Sequence, residues 1–323
     1  MTTKIARCLC IGALLTFTTL AWSQTYPNKP VRIVVPYPAG TVTDMITRRL
    51  SERAAIYLGQ PIIVENRGGA SGTIGAQAVA RSPADGYTFL LGTNQTHAIN
   101  SVVLKNQGYD PRKDFTPVAR LVINSQLLAV NSDLGVKSVG ELVALAKAKP
   151  NSLSFASAGK GTTAHLAGEY LKVLANIDII HVPYNNAQLM TDLLAGRTSM
   201  IVYPYSALKS HIAGGKLLPL ATLGATRAPW MPNVPTMVES GYPDLEFVSW
   251  FAIYGPPNLP AAIAERVSAA YCQALADPQL SASLVAEGSE PACSTPTVLG
   301  QFTNTELERT QQVVKRSRVT FEE

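Results

Sequence analysis

Apolar and polar positions along the chain alternate between two periods, and the alternation is the first thing the sequence offers. A short apolar run, VRIVV from Val31, is followed by VTDMITRRLSERAAIYL, in which Val42, Met45, Ile46 and Leu50 recur at helical spacing. PIIVEN, TIGAQAVARS and YTFLLGT then read as strand, helix and strand. The same order returns in SLSFAS, TTAHLAGEYLKVLA, IDIIHVPY, AQLMTDLLAG and TSMIVYPY. Strands that alternate with helices through short loops predict parallel sheets, here in two βαβαβ units. Ligands of such sheets bind beyond the carboxyl ends of the strands, so a cleft between two lobes is the expected site.

Two further β-rich stretches, FTPVARLVINSQLLAVNSDLGV and LEFVSWFAIYGPP, flank the second unit and read as strands crossing out and back. Helices are expected after them at about 260–276 and 296–317. A chain that crosses out and returns has a discontinuous first lobe. The expected division is 24–127 plus 248–323 in one lobe and 128–247 in the other.

The N-terminus adds a compartment. Lys4 and Arg7 precede an apolar run from Cys8 to Trp22, closed by Ala21-Trp22-Ser23. This pattern predicts a signal peptide over 1–23, cut before Gln24. The run falls short of the roughly 20 apolar residues of a membrane helix. An exported chain of about 300 residues suits two ordinary domains. Its formal charge of +5 includes the two signal-segment cations. The remainder is too small and too scattered to imply nucleic acid. Cys272 and Cys293 remain after cleavage, and the sequence leaves their pairing open.

The strand-to-helix turns carry the candidate chemistry. In VPYPAGTVTD, Thr41 and Asp44 fit a capping box in which Asp44 reaches back to the Thr41 amide, and Gly59 ends the helix. The turn presents free backbone N–H groups and the positive end of a helix dipole, a setting for an anion without a cationic side chain. Most such turns bind only water. The equivalent turn of the second unit, SAGKGTTAH from Ser157 to His165, is again rich in glycine and threonine, and two facing tips could pinch one carboxylate. Walker A spacing is absent, since Gly161 follows Lys160 where the motif needs serine or threonine, and neither GxGxxG nor GxSxG occurs at these turns. His97, His165, His181 and His211 have no metal-site spacing. His97 and His165 lie close to cleft-side loops, so a hydrolase or lyase using one of them as base is the rival reading. Lys160 reads as a rim residue.

RIVVPYPAGTVTD, QPIIVENRGGASGTIGAQAVA, SPADGYTFLLGTNQTHAIN, YDPRKDFTPVA, SFASAGKGTTAHLAGE, IIHVPYNN, NVPTMVESGYP and SWFAIYGPP together resemble the Bug-type family, the solute-binding proteins of tripartite tricarboxylate transporters. The resemblance runs from about Tyr26 to the C-terminal helix. It implies an α/β, two-lobed periplasmic-binding-protein fold of the type II Venus flytrap kind, with two parallel-type sheets joined by crossing strands. It also implies a periplasmic, non-enzymatic receptor without a cofactor, expected as a monomer, that closes on a small carboxylate and delivers it to a membrane permease. A ligand sensor working through a sensor kinase is the alternative.

The family's carboxylate clamp maps here onto Tyr37, Ala39, Gly40, Thr41, Thr43 and Asp44 on one lobe. On the other it maps onto Ser157, Gly159, Gly161, Thr162, Thr163 and His165. Thr93, Gln95, Thr96, His97, Tyr184, Asn185 and Tyr203 match the positions that read the rest of the ligand. Two departures stand out: Thr41-Val42 replaces a glycine-rich pair, and Tyr203 aligns with a frequent aspartate, which argues against an amino-acid ligand and equally suits stacking on an aromatic acid or donation to a distal carboxylate.

Overall fold

The computed structural model describes residues 26–184 and 188–319, so the expected signal segment and Asn185 lie outside the described residues. The first unit comprises β1 (Val31–Val35), α1 (Val42–Leu58), β2 (Ile62–Asn66), α2 (Thr73–Ala80) and β3 (Thr88–Thr93). β1 lies between β2 and β3, parallel to both. One π-helical turn, Gln95–Ile99, then leads into α3 (Asn100–Val103) and the long β4 (Thr116–Asn131).

The second unit comprises α4 (Val139–Ala148), β5 (Ser154–Ser157), α5 (Thr163–Ala175), β6 (Ile180–Pro183), α6 (Gln188–Leu194), β7 (Met200–Pro204), α7 (Tyr205–Ala213) and β8 (Leu217–Thr222). β5 lies between β6 and β7, again parallel to both. The chain returns through β9 (Val248–Gly255) to α8 (Ala261–Leu275), α9 (Pro278–Ala286), β10 (Glu290–Pro291) and α10 (Pro296–Ser317).

β4 belongs to both sheets. Up to Ser125 it pairs antiparallel with β9, and from Gln126 onward it pairs antiparallel with β7 and β8. β9 in turn runs antiparallel to β3. Each sheet is therefore mixed, a parallel triplet bordered by crossing strands. Parallel neighbours need a crossover connection, whereas a strand that simply passes between lobes is free to pair antiparallel.

The cores follow from the apolar faces. Ile33, Leu50, Phe89, Ile253 and Tyr271 pack together in the first lobe, with α1 laid against α8. Phe155, Tyr170, Leu171, Val202 and Met237 pack in the second. α10 spans both. Leu299 and Phe302 sit with Trp250 and Tyr254 in the first lobe, while Val313 enters the core of the second. Arg309 pairs with Glu246 at 3.7 Å and Arg316 with Asp244 at 2.8 Å, both acids lying just before the return crossing. A disulfide, Cys272–Cys293, ties α8 to the segment before α10, with Cα atoms 5.4 Å apart. Among the described residues no helix is long and apolar enough to cross a membrane.

Candidate functional site

The turn after β1 is held by its own side chains. Thr41 has an extended backbone and caps α1, its Oγ1 accepting from the Asp44 amide at 3.3 Å and donating to the Pro38 carbonyl at 2.9 Å. Gly40, at φ +81°, makes the left-handed step that brings its amide onto the Asp44 carboxylate, 2.9 Å away. Asp44 thus reaches back one residue further than the expected Thr41 amide, and it consumes one of the loop's donors. Its other partners are Asn66 at 2.9 Å and Arg48 at 3.0 Å. Burial pushes this carboxyl up, but Arg48, the Gly40 amide and Asn66 together outweigh burial and hold it below the usual carboxylate range. The amides of Val42 and Thr43, first in the helix, have no partner within it.

The turn after β5 is organised by two histidines. Thr162 caps α5, accepting from the His165 amide at 3.4 Å. Gly161, at φ +75°, donates its amide to His165 Nδ1 at 3.1 Å. Ser157 Oγ meets His181 Nε2 at 2.6 Å and also accepts from the Gly159 amide. The two imidazoles stack with centroids 4.1 Å apart. Burial first, then nearby charge, pushes both down to about 4, so both are neutral at neutral pH. Ser157 and His181 have the spacing of a nucleophile and its base, yet Ser157 is wholly buried. Its hydroxyl holds the loop in shape. His165, Glu169 and His181 offer donor atoms within 4.8 Å of one another. His165 Nδ1 already accepts from the Gly161 amide, His181 Nε2 bonds Ser157 Oγ, and Lys172 takes Glu169 at 2.8 Å.

The two turns meet. Asn94, just after β3, donates to Thr163 Oγ1 at 2.9 Å, and Gln95 reaches the Gly161 carbonyl at 3.4 Å. On the opposite side, Lys209 of α7 donates to the Ala286 carbonyl at the end of α9. A cavity of about 200 Å³ lies between the lobes, beside the crossing strands. The first lobe contributes Tyr37, Thr43 and Thr93 to its wall, the crossing strands Asn124 and Ser249, and the second lobe Tyr205 and Ser206. Tyr37 and Thr93 share a hydrogen bond of 2.8 Å, and burial pushes the Tyr37 phenol up to about 12. No lysine or arginine lines the cavity among the described residues.

Of the expected residues, Tyr37, Thr43 and Thr93 come together at this cavity, and Thr163 abuts its wall through Asn94. Ala39, Gly40 and Thr41 form the solvent-facing bend of the first turn. Ser157, Gly159, Gly161, Thr162 and His165 build the second turn without lining the cavity. Tyr184 donates to Asp192 at 2.9 Å, and Tyr203 is half-buried opposite Leu127. Thr96 and His97 turn inward and are wholly buried. His97 stacks on Tyr254 with centroids 3.8 Å apart and bonds Thr96 Oγ1, and burial pushes it down to about 3. It is a neutral core histidine, remote from any role as a base. Sequence reading missed Asn94, Asn124, Ser249, Tyr205 and Ser206. The polar triplet Asn124-Ser125-Gln126 between the apolar runs Leu121–Ile123 and Leu127–Val130 was the available signal.

The profile of the tripartite tricarboxylate transporter family receptor matches residues 46–319. Protein BugT of Bordetella pertussis is 33% identical over 297 residues, covering 91% of this chain and 91% of its own length. The solved structure of Rpa4515 of R. palustris with adipate is 34% identical, with a TM-score of 0.82 over 91% of this chain and 99% of that one. MatC of Rhodopseudomonas palustris, solved with bound malate, is 29% identical, with a TM-score of 0.76 over 90% of this chain and 100% of that one. The chain belongs to the tripartite tricarboxylate transporter receptor family.

Proposed function

We propose that this chain is a periplasmic receptor that captures a small carboxylate between its lobes and hands it to a membrane permease of the tripartite tricarboxylate type. The observation that carries the reading is the cavity itself. The segment after β3 meets the capped turn after β5 beside it through Asn94 and Thr163, its donors are neutral, and Val42 and Thr43 of the first turn of α1 line its wall. Relatives solved with adipate and with malate support the ligand class. In this reading Thr43, Tyr37 and Thr93 touch ligand. Asp44, His165 and His181 shape the turns.

The lobes, 24–127 with 248–323 and 128–247, hinge where β4 leaves β9 for β7. The chain acts as a monomer without catalysis, after loss of residues 1–23. A ligand that gathers donors from both lobes selects the closed state.

Calorimetric titration with adipate, malate and other short carboxylates tests the reading. Thr43→Val is expected to weaken binding about tenfold, the worth of one hydrogen bond to a charged group, while leaving unfolding unchanged. A broad carboxylate panel that binds nowhere would sink the proposal. Capture of membrane partners by the full chain, with and without bound ligand, separates delivery to a permease from presentation to a sensor kinase.

A further inference from the structure

The lobes also meet along a seam beside the cavity, through the segment that follows α9. Lys209 of α7 donates to the Ala286 carbonyl at 2.9 Å. Gly288 is buried so close to Tyr205 that a Cβ on it would stand 3.0 Å from the tyrosine's own Cβ. Tyr205 in turn stacks on Trp230, in the loop after β8, with centroids 4.2 Å apart. Glu287, Gly288 and Tyr205 all line the cavity, and Arg49 of α1 holds Glu287 at 2.7 Å.

One donor and one acceptor on this seam fall short of their bonds. Trp230 Nε1 is buried without a hydrogen-bond partner. Buried indole N–H groups usually find one, and leaving a polar group unmet costs more than an average bond returns. Across the seam, Glu290 of β10 accepts from Ser125 Oγ at 3.5 Å, well beyond the roughly 2.5–3.0 Å of a strong bond between oxygens. Burial pushes the Glu290 carboxyl up, and Ser125 and Trp230 are the groups that offset it, so the indole faces this acid without completing a bond. Glu290 lies opposite Ile123, and Ser125 is the last residue of β4 opposite β9, which puts the pair beside the point where β4 changes sheets.

We infer that the segment after α9 is an interlobe latch: as the lobes tighten around ligand, Trp230 Nε1 of the second lobe comes to donate to the Glu290 carboxyl of the first, and both act as positioning residues for capture. The inference rests on the proposed capture of a carboxylate between the lobes. Neither side chain lines the cavity, so the bond acts on the equilibrium between open and closed forms rather than on the ligand. A contact made in one form alone shifts the population toward that form by its own free energy. Beside the point where β4 changes sheets, a rotation of the lobes displaces atoms little, which suits a donor and an acceptor that already face each other. Tyr205 joins the latch to the ligand, since it lines the cavity and carries the Trp230 stack.

The test joins calorimetry to tryptophan emission on the mature chain, with adipate, malate and other short carboxylates as probes. Trp250 is wholly buried in the core of the first lobe, so a shift of emission on binding is assigned to Trp230. Glu290→Ala is expected to suppress that shift and to weaken binding about tenfold, while Glu290→Gln, which keeps an acceptor, recovers most of both. Trp230→Phe keeps a ring on Tyr205 but lacks the N–H, and it is expected to weaken binding by a similar factor. The double variant, Trp230→Phe with Glu290→Ala, is expected to bind no more weakly than either single one, because both remove the same bond. Should Trp230→Phe fail to fold, the alanine and glutamine variants of Glu290 decide by affinity and emission together. Wild-type affinity in Trp230→Phe, losses that add in the double variant, or an emission shift that survives Glu290→Ala overturns the latch while leaving capture standing. Absence of binding by every acid overturns both.

Discussion

At neutral pH burial holds His97, His165 and His181 uncharged, and this fixes how acid acts on the protein. A histidine whose folded pKa is lowered binds its proton more readily in the unfolded chain. Its stabilising contribution is complete above the unfolded value near 6.5 and is lost as pH falls toward the folded value. For His97 that window runs from about 6.5 to about 3. Urea unfolding between pH 7 and 4 is expected to show stability falling with acid. His97→Leu should remove as much as about 1.4 kcal/mol per pH unit from that slope. An unchanged slope would mean that His97 titrates normally. This position was also the least legible in the sequence. Its closeness to the end of β3 points it at the cleft, but the π turn over Gln95–Ile99 alters the helical phase, and His97 lies under Tyr254 instead.

Legibility improves for elements whose signals are local. The helix expected over 42–58 has those bounds because Thr41 caps it and Gly59, at φ 84°, stops it. Thr41→Val is expected to cost about 1 kcal/mol in unfolding experiments through loss of that cap, separable from the ligand effect of Thr43→Val. α4, α7 and α9 were not anticipated. α7 follows β7 with no polar loop between them, so the strand's apolar run hides the start of the helix. The disulfide is a spatial fact that spacing leaves open. Its cysteines are 21 residues apart, which predicts about 3 kcal/mol from closing the loop in the unfolded chain. Cys272→Ser with Cys293→Ser is expected to lower the denaturation midpoint accordingly, and a midpoint that does not move would assign the bridge no role in stability.

For the whole molecule, the repeated βαβαβ order made two units readable, and the crossing strands followed from β-rich stretches without turn signals. The cavity wall was not readable, because it is assembled from residues distant in sequence, such as Tyr37, Asn124 and Ser206. In the proposed reading ligand gathers both halves, so its binding is expected to raise the melting temperature, with about 4 kcal/mol of stabilisation at a thousandfold excess over Kd. A scan with adipate or malate over a concentration series checks this.

The path of α10 has one more consequence. Tyr26 is anchored to the first lobe through the Gly86 carbonyl, while the last turns of α10 lie on the second through Val313 and Arg316. Tyr26 and the last turns of α10 therefore sit on different halves. Under the proposed closure, dyes attached at residues 26 and 319 would change their separation when ligand binds, and energy transfer between them would report occupancy.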